Sequence, residues 1–323
     1  RMGSIREWQI PLLVALPFVL LTQALDADAS IVEVGQALYI FGFVLPFGWV
    51  AFAGIRPRNL AMAFLLALSI SSLAAVGQTV GFIGMLGQQK LWAVLGTSRS
   101  AGFSLSCSAL CLSLAPVFPM LLYIPRAVYR IGFFVLIWMG LLATLAKSVI
   151  FALPVTAYYM WREPNRRGMA VLSILVALGL ACVFFNSANL QEKMHNATAT
   201  VERRAEFAEF SMWERTSTIR NALSYVPRCY IVGIGYAGSH EELMQHLGNT
   251  VHVFHVGLIL VCGLPAALLI LTSFSLLILR TWQIGQHPAT MLLIGHMLSL
   301  CTMTVLMHSF EYVVFAVAGA ILH

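Results

Sequence analysis

Residues 59–86 read NLAMAFLLALSISSLAAVGQTVGFIGML, an apolar run without a single Asp, Glu, Lys or Arg. About 20 such residues are enough for a helix to cross the roughly 30 Å hydrocarbon core of a bilayer. The run is a candidate membrane span, and windows like it recur along the chain. They cover residues 9–25, 33–54, 101–124, 131–146, 148–161, 168–185, 251–279, 288–306 and 309–323. Composition points the same way. Of 323 residues 59% are apolar and 10% charged, where a soluble domain carries about 25% charged residues. No fold in water has an interior large enough for that much hydrocarbon. The expected class is all-α: a polytopic membrane helical bundle of about 10 transmembrane helices, forming one integral membrane domain over residues 1–323. The first window is read as a retained helix rather than a cleaved signal, because further spans follow it. Around Lys147 the charge pattern favours two short helices meeting at a polar kink over one long helix across 131–161.

Two classes of function drop out early. Five of the six cysteines, Cys107, Cys111, Cys182, Cys262 and Cys301, lie inside apolar windows, which argues against a disulfide framework. The pI of 9.2 invites nucleic acid as a partner, yet there is no basic helix with interleaved aromatics and no soluble domain. No nucleic acid is expected. Membrane topology accounts for the basic excess instead. With the amino terminus in the cytoplasm, one side holds Arg1, Arg6, Arg56, Arg58, Arg126, Arg130, Arg162, Arg166, Arg167 and Arg280. These ten face only Glu7 and Glu163, a net of +8, as the positive-inside rule requires. Nine Lys or Arg and eleven Asp or Glu remain for the other side, a net of −2. Both termini are then cytoplasmic, and residues 186–250 face outward as one large loop.

That loop has organised composition. Thr198 to Tyr225 lacks Pro and Gly and is dense in Glu, Arg, Ala and aromatics, the pattern of an amphipathic helix lying on the membrane surface. Pro227 breaks it, and Gly233-Ile234-Gly235 with Gly238 permit tight turns near a ligand. Loops this long in compact proteins are functional or disordered, and this composition is not that of disorder.

On the outward side, basic residues stand where membrane insertion gives no reason for them: Lys90 and Arg99 in one loop, Lys147 at the helix junction, and Arg203, Arg204, Arg215, Arg220 and Arg228 in the long loop. Clustered Arg and Lys suit a diphosphate, since guanidinium groups bind phosphate oxygens in pairs and neutralise charge near hydrocarbon. The plainer account pairs Arg203, Arg204 and Arg220 with Glu202, Glu206, Glu209 and Glu214 on a solvated helix, and for Arg203 and Arg204 it is preferred. Arg99, Lys147 and Arg215 are favoured as site residues, because basic groups at a span mouth are costly and mark sites. His252 and His255, three apart at the start of a span, project from one helical face, and an imidazole there can take a proton from a hydroxyl. They can equally be interfacial histidines bonded to backbone or headgroups. A zinc pair needs further Asp, Glu or Cys ligands, and neighbouring positions offer none, so neither metal nor cofactor is expected. Asn196-Ala197-Thr198 fits a glycosylation sequon, a triplet common by chance.

The stretch Arg215-Thr216-Ser217-Thr218-Ile219-Arg220-Asn221-Ala222-Leu223, then Gly233-Ile234-Gly235, then His252 and Gly263, resembles the signature of the O-antigen ligase and polymerase superfamily. In that pattern an arginine opens an amphipathic helix, a Gly-x-Gly follows about eighteen residues on, and a histidine lies eleven residues before a glycine in the next span. Here the spacings are eighteen, from Arg215 to Gly233, and eleven, from His252 to Gly263; His252, not His255, fits the pattern. Upstream, Arg99-Ser100-Ala101-Gly102-Phe103 is similar to the family's Arg-x-x-Gly-aromatic start of a span, and Ala146-Lys147 falls where a Ser-Arg pair is usual. The chain departs from the pattern at Val253, Cys107 and Ile219, where the family usually has Asn, Asn and Trp, and its proline before Gly-x-Gly stands at Pro227.

What the resemblance implies is a membrane glycosyltransferase, metal-independent, acting at the periplasmic face. It would transfer a glycan from an undecaprenyl-diphosphate carrier to an acceptor hydroxyl, on lipid A–core for a ligase or on another carrier-linked glycan for a polymerase. Membrane lipids would surround it. His252 and Arg215 would be catalytic, with Arg99, Lys147, Arg220 and Lys90 on the diphosphate. The rival from another class is a secondary transporter or lipid flippase, which predicts ionisable groups at the midplane and internal repeats. Outside Glu311 and His296 the spans carry almost no such groups, and the long loop has no counterpart in the first half. Glu311 and His308 keep that rival in play, and a noncatalytic assembly subunit is a third reading.

Overall fold

The computed structural model describes residues 6–26, 31–84, 100–104, 107–144, 149–150, 152–163, 168, 171, 217, 219–224, 226–235, 254–300 and 309–322. Among them the regular structure is helical throughout. The α-helices are α1 (Ile10–Leu25), α2 (Ile31–Ala37), α3 (Leu45–Phe47), α4 (Pro57–Thr79), α5 (Cys107–Leu114), α6 (Ala127–Thr144), α7 (Ala152–Arg162), α8 (Phe254–Cys262), α9 (Leu264–Gln283), α10 (His287–Leu300) and α11 (Ser309–Ile321). Four helical runs, Val34–Phe52, Pro57–Thr79, Ala127–Thr144 and Leu264–Gln283, are long and apolar enough to cross a membrane. Ile10–Leu25 and Ala109–Tyr123 are shorter apolar helices. The windows at 33–54 and 131–146 thus become helices, 59–86 becomes one as far as Thr79, and Lys147, where the polar kink is expected, lies outside the described residues. Most of the window 168–185 and most of the loop 186–250 lie outside the described residues. One window differs: 251–279 is not a single helix but two, α8 and α9, that break at Gly263.

Contacts divide the chain into two compact units, Arg1–Arg56 with Ser211–His323, and Pro57–Phe210. In the first, α1 lies along α9, and Leu12, Ala15, Val19, Ile270, Phe274 and Leu277 are buried. Ser273 Oγ donates to the carbonyl of Trp8, which returns a backbone acceptor left open ahead of α1. Small residues bring α11 close to the 3-10 segment Gly48–Phe52: a Cβ on Gly319 would sit 3.0 Å from Trp49 Cβ, and one on Gly48 3.3 Å from Ala316 Cβ. Such residues let helix backbones approach where lipid supplies no hydrophobic drive. Phe315 of α11 stacks on Phe274 of α9 with centroids 4.0 Å apart. After α9, Gly285 at φ +77° and the bond from Gln286 N–H to Thr281 O at 2.9 Å close the helix before Pro288 starts the next.

The second unit is built on α4 against α6, where Gly140 of α6 approaches Ser72 so closely that an added Cβ would lie 2.6 Å from Ser72 Cβ. From α5 the chain tightens into a 3-10 helix, Ala115–Tyr123, whose Pro116 and Pro119 have no N–H to give to an α-helical ladder. Residues 115–121 are all buried, as expected of a helix apolar on every side. Phe118, Phe134 and Tyr159 join it to α6 and α7 with centroids 5.5 and 5.7 Å apart. At one end Arg130 pairs with Glu163 at 2.8 Å, Tyr159 OH donates to the same carboxylate at 2.9 Å, and Arg130 Nη1 donates to Ile124 O at 3.0 Å. A buried charge is tolerable only when paired and hydrogen-bonded in this way.

Candidate functional site

In the first unit the glycines of the sequence pattern come together. Gly263 sits between α8 and α9 at φ +80° and ψ 161°, a conformation that L side chains rarely adopt. Had the helix continued, Leu264 N–H would have bonded to Leu260 O. The break separates that donor from that acceptor, and the segment before Gly235 satisfies both: Tyr230 O accepts from Leu264 N–H at 3.3 Å, and Ile234 N–H donates to Leu260 O at 2.8 Å. Backbone must approach backbone for this. A Cβ on Gly233 would run into the carbonyl of Val261 and lie 2.6 Å from Cys262 N, and one on Gly263 would lie 2.5 Å from Ile231 O. Gly235, at φ +80°, has the Asp26 carboxylate where its Cβ would be. Gly233 therefore docks a tight turn onto a broken helix. Asp26, the residue that caps the end of α1, comes with them, and nothing in the sequence except its place after the first apolar run marked it.

The second unit holds a comparable arrangement where the Arg-x-x-Gly-aromatic pattern begins. Gln78, near the end of α4, is buried. Its Oε1 accepts from Ala101 N–H at 3.1 Å and Gly102 N–H at 3.0 Å, and its Nε2 donates to Gly102 O at 3.0 Å. Thr79 Oγ1 donates to Ala75 O at 3.0 Å, which leaves Ser100 as the donor in the 2.7 Å contact between the two hydroxyls. Phe103 N–H donates to Ser71 Oγ at 3.2 Å. Gly102 stands at φ +57°, and a Cβ there would lie 2.7 Å from Ser71 Oγ. Gln78 was passed over as part of an apolar span. The signal that finds it is a carboxamide beside Thr79 near the end of a long, largely apolar window.

His252, Arg215, Arg99, Lys147 and Lys90 lie outside the described residues. Arg220 is exposed on the helical residues 219–224, while Ala222 on the same turn is buried, so the helix presents the guanidinium away from the interior. His255 is half-buried in the first turn of α8. Among the described residues no three His, Cys, Asp or Glu side chains gather as a metal site would require. Comparison with protein-family models and with curated proteins finds no match for the chain.

Proposed function

We propose that the chain is a membrane glycosyltransferase of the O-antigen ligase type, with about ten transmembrane helices, cytoplasmic termini and residues 186–250 in the periplasm. The acceptor hydroxyl, on lipid A–core, attacks the anomeric carbon of a glycan carried on undecaprenyl diphosphate. The bond from that carbon to the diphosphate oxygen breaks, and undecaprenyl diphosphate leaves. His252 takes the acceptor's proton, Arg215 stabilises the charge that develops on the leaving diphosphate, and Arg99, Lys147, Arg220 and Lys90 help hold it. Polymerisation onto a second carrier-linked glycan is the same chemistry with another acceptor.

The observation that carries this reading is the meeting of Gly233, Gly235 and Gly263. The pattern names these glycines from positions up to thirty residues apart, and backbone hydrogen bonds join their segments in space. The decisive experiment is transfer from a defined undecaprenyl-diphosphate glycan in proteoliposomes. Arg215→Ala should abolish it with the folded protein retained, and Arg215→Lys should recover little, because a paired fork becomes a point charge. Full transfer by Arg215→Ala removes the assignment. In a deletion strain, long glycan accumulating on the carrier identifies a ligase and single repeats a polymerase.

One observation favours the transporter reading. His296 of α10 is enclosed, neither of its ring nitrogens has a hydrogen-bond partner among the described residues, and its ring meets Phe315 edge-on with centroids 5.5 Å apart. Ionisable groups inside spans often mark a transport pathway. Solute uptake lost in His296→Leu, with no glycan transfer by the wild type, would select it.

A further inference from the structure

We propose that the second unit carries a binding site for an anionic phospholipid, with the lipid phosphate on the guanidinium groups of Arg126 and Arg162 and the acyl chains beside Val128 and Trp161. Arg126 immediately precedes α6, a helix long and apolar enough to cross a membrane, and Arg162 is the last residue of α7. Both are exposed. One buried group brings the two places together: Arg130 Nη1 donates to Pro125 O at 3.3 Å, and Arg130 Nη2 pairs with Glu163 at 2.8 Å. Pro125 is joined to Arg126, and Glu163 to Arg162, by a single peptide bond. The two arginines therefore leave the chain from points held against the same side chain.

The charges at this end do not balance. Glu163 is engaged by Arg130 and by Tyr159 OH, and neither Arg126 nor Arg162 meets a carboxylate among the described residues. Arg126 also stands at the amino-terminal end of α6, where the helix dipole disfavours a cation and favours an anion. Each guanidinium lies over an aromatic ring instead, Arg126 over Tyr129 at 5.7 Å and Arg162 over Trp161 at 6.0 Å. Stacking of this kind holds the guanidinium plane and leaves its N–H edge for phosphate oxygens, which it binds in pairs. Hydrocarbon decides between a soluble phosphate and a lipid. Val128, Tyr129 and Trp161 are exposed beside the two arginines, and cationic heads next to apolar surface at the end of a membrane helix match the two parts of an anionic lipid. The inference does not depend on glycan transfer, since none of these residues is assigned to it.

The test is the dissociation constant of dioctanoyl phosphatidylglycerol for the full chain in a neutral detergent, read from the rise in melting temperature that the lipid causes. Wild type should bind it about tenfold more tightly than dioctanoyl phosphatidylcholine, whose choline offsets the phosphate charge. Glycerol 3-phosphate, the headgroup without chains, should show no saturable binding at the same concentrations. Arg126→Gln and Arg162→Gln should each weaken phosphatidylglycerol binding about tenfold, the worth of a hydrogen bond to a charged group. Their melting temperatures without lipid should stay near that of wild type, because both side chains are exposed and in no ion pair. Arg56, an exposed arginine of the other unit, is the control, and Arg56→Gln should leave binding unchanged. Equal binding of the two lipids by wild type overturns the proposal, as does wild-type binding by both Arg126→Gln and Arg162→Gln. An equal loss in Arg56→Gln means diffuse surface charge, and glycerol 3-phosphate bound as tightly as the lipid means a soluble phosphate ligand; either result overturns the lipid site.

Discussion

Gly263 and Gly285 both sit near φ +80°, yet their surroundings differ. A Cβ on Gly285 meets nothing within 4 Å, while one on Gly263 meets Ile231 O at 2.5 Å. Gly285→Ala should therefore lower stability only by the backbone strain, about 1–3 kcal/mol. Gly263→Ala adds a clash with the Ile231 carbonyl, next in the chain to Tyr230, whose carbonyl accepts from Leu264 N–H, and should lower it by clearly more. Thermal unfolding in detergent of the two variants side by side checks the order; equal losses would mean that the docked turn contributes nothing. At the next residue of interest the sequence and structure answer different questions. Spacing selects His252 over His255, and His252→Ala should reduce transfer by about two to four orders of magnitude, the usual worth of acid–base help. His255, on the first turn of α8, should show a far smaller loss when replaced by Ala, and reconstituted transfer with protein amounts matched distinguishes them. The glycines were legible because their spacing is a pattern along one chain. Asp26 and Gln78 were not, because each acts on a segment that only the fold brings near: Asp26 on Gly235, and Gln78 on Gly102.

At the scale of elements, hydropathy found the long, largely apolar helices such as α4 and α6. It missed the break in 251–279. A single glycine hardly changes an average over twenty residues, and Gly263 acts through its dihedral angles and not its polarity. The consequence is topological, since α9 alone is long enough to cross the membrane and α8, which carries His255, stands before the break. Two ion pairs among the described residues give a second element-scale contrast. Arg130 and Glu163 fasten the start of α6 to the end of α7, with side chains only 15% and 2% exposed, whereas Arg280 and Glu7 join α9 to the segment before α1 with 44% and 67% exposed. Arg130→Ala leaves a carboxylate buried with Tyr159 as its remaining named partner, and should destabilise by about 3–5 kcal/mol. Arg280→Ala should change stability by no more than about 1 kcal/mol, because exposed pairs are screened. Melting temperatures of the two variants in the same detergent test this, and a larger fall for Arg280→Ala would contradict the burial argument.

For the whole molecule, the positive-inside reading sorts residues by side without reference to contacts, so contacts test its consistency. Arg280 meets Glu7 and Arg130 meets Glu163, and all four were assigned to the cytoplasm. Asp26 meets Gly235 and Gln78 meets Gly102, and the loops that begin or end at these positions were assigned to the outside. No pair among these joins residues from opposite sides, within either unit. Charge imbalance and chain contacts have independent physical origins, one in the energetics of insertion and the other in hydrogen bonding and backbone fit. Contacts keep the two sets apart but do not say which is cytoplasmic; the charge imbalance alone predicts that residues 186–250 face away from the cytoplasm while the turns at 55–58, 125–130 and 162–167 face it. Single thiols introduced by Asn165→Cys and His240→Cys, in a background with the native cysteines replaced, read this directly. In intact spheroplasts an impermeant maleimide should label the His240→Cys protein and leave the Asn165→Cys protein unlabelled until the membrane is permeabilised. Labelling of Asn165→Cys alone would invert the map. It would also move the proposed diphosphate site to the face where carrier-linked glycans are assembled rather than consumed, and the transferase reading would fall with it.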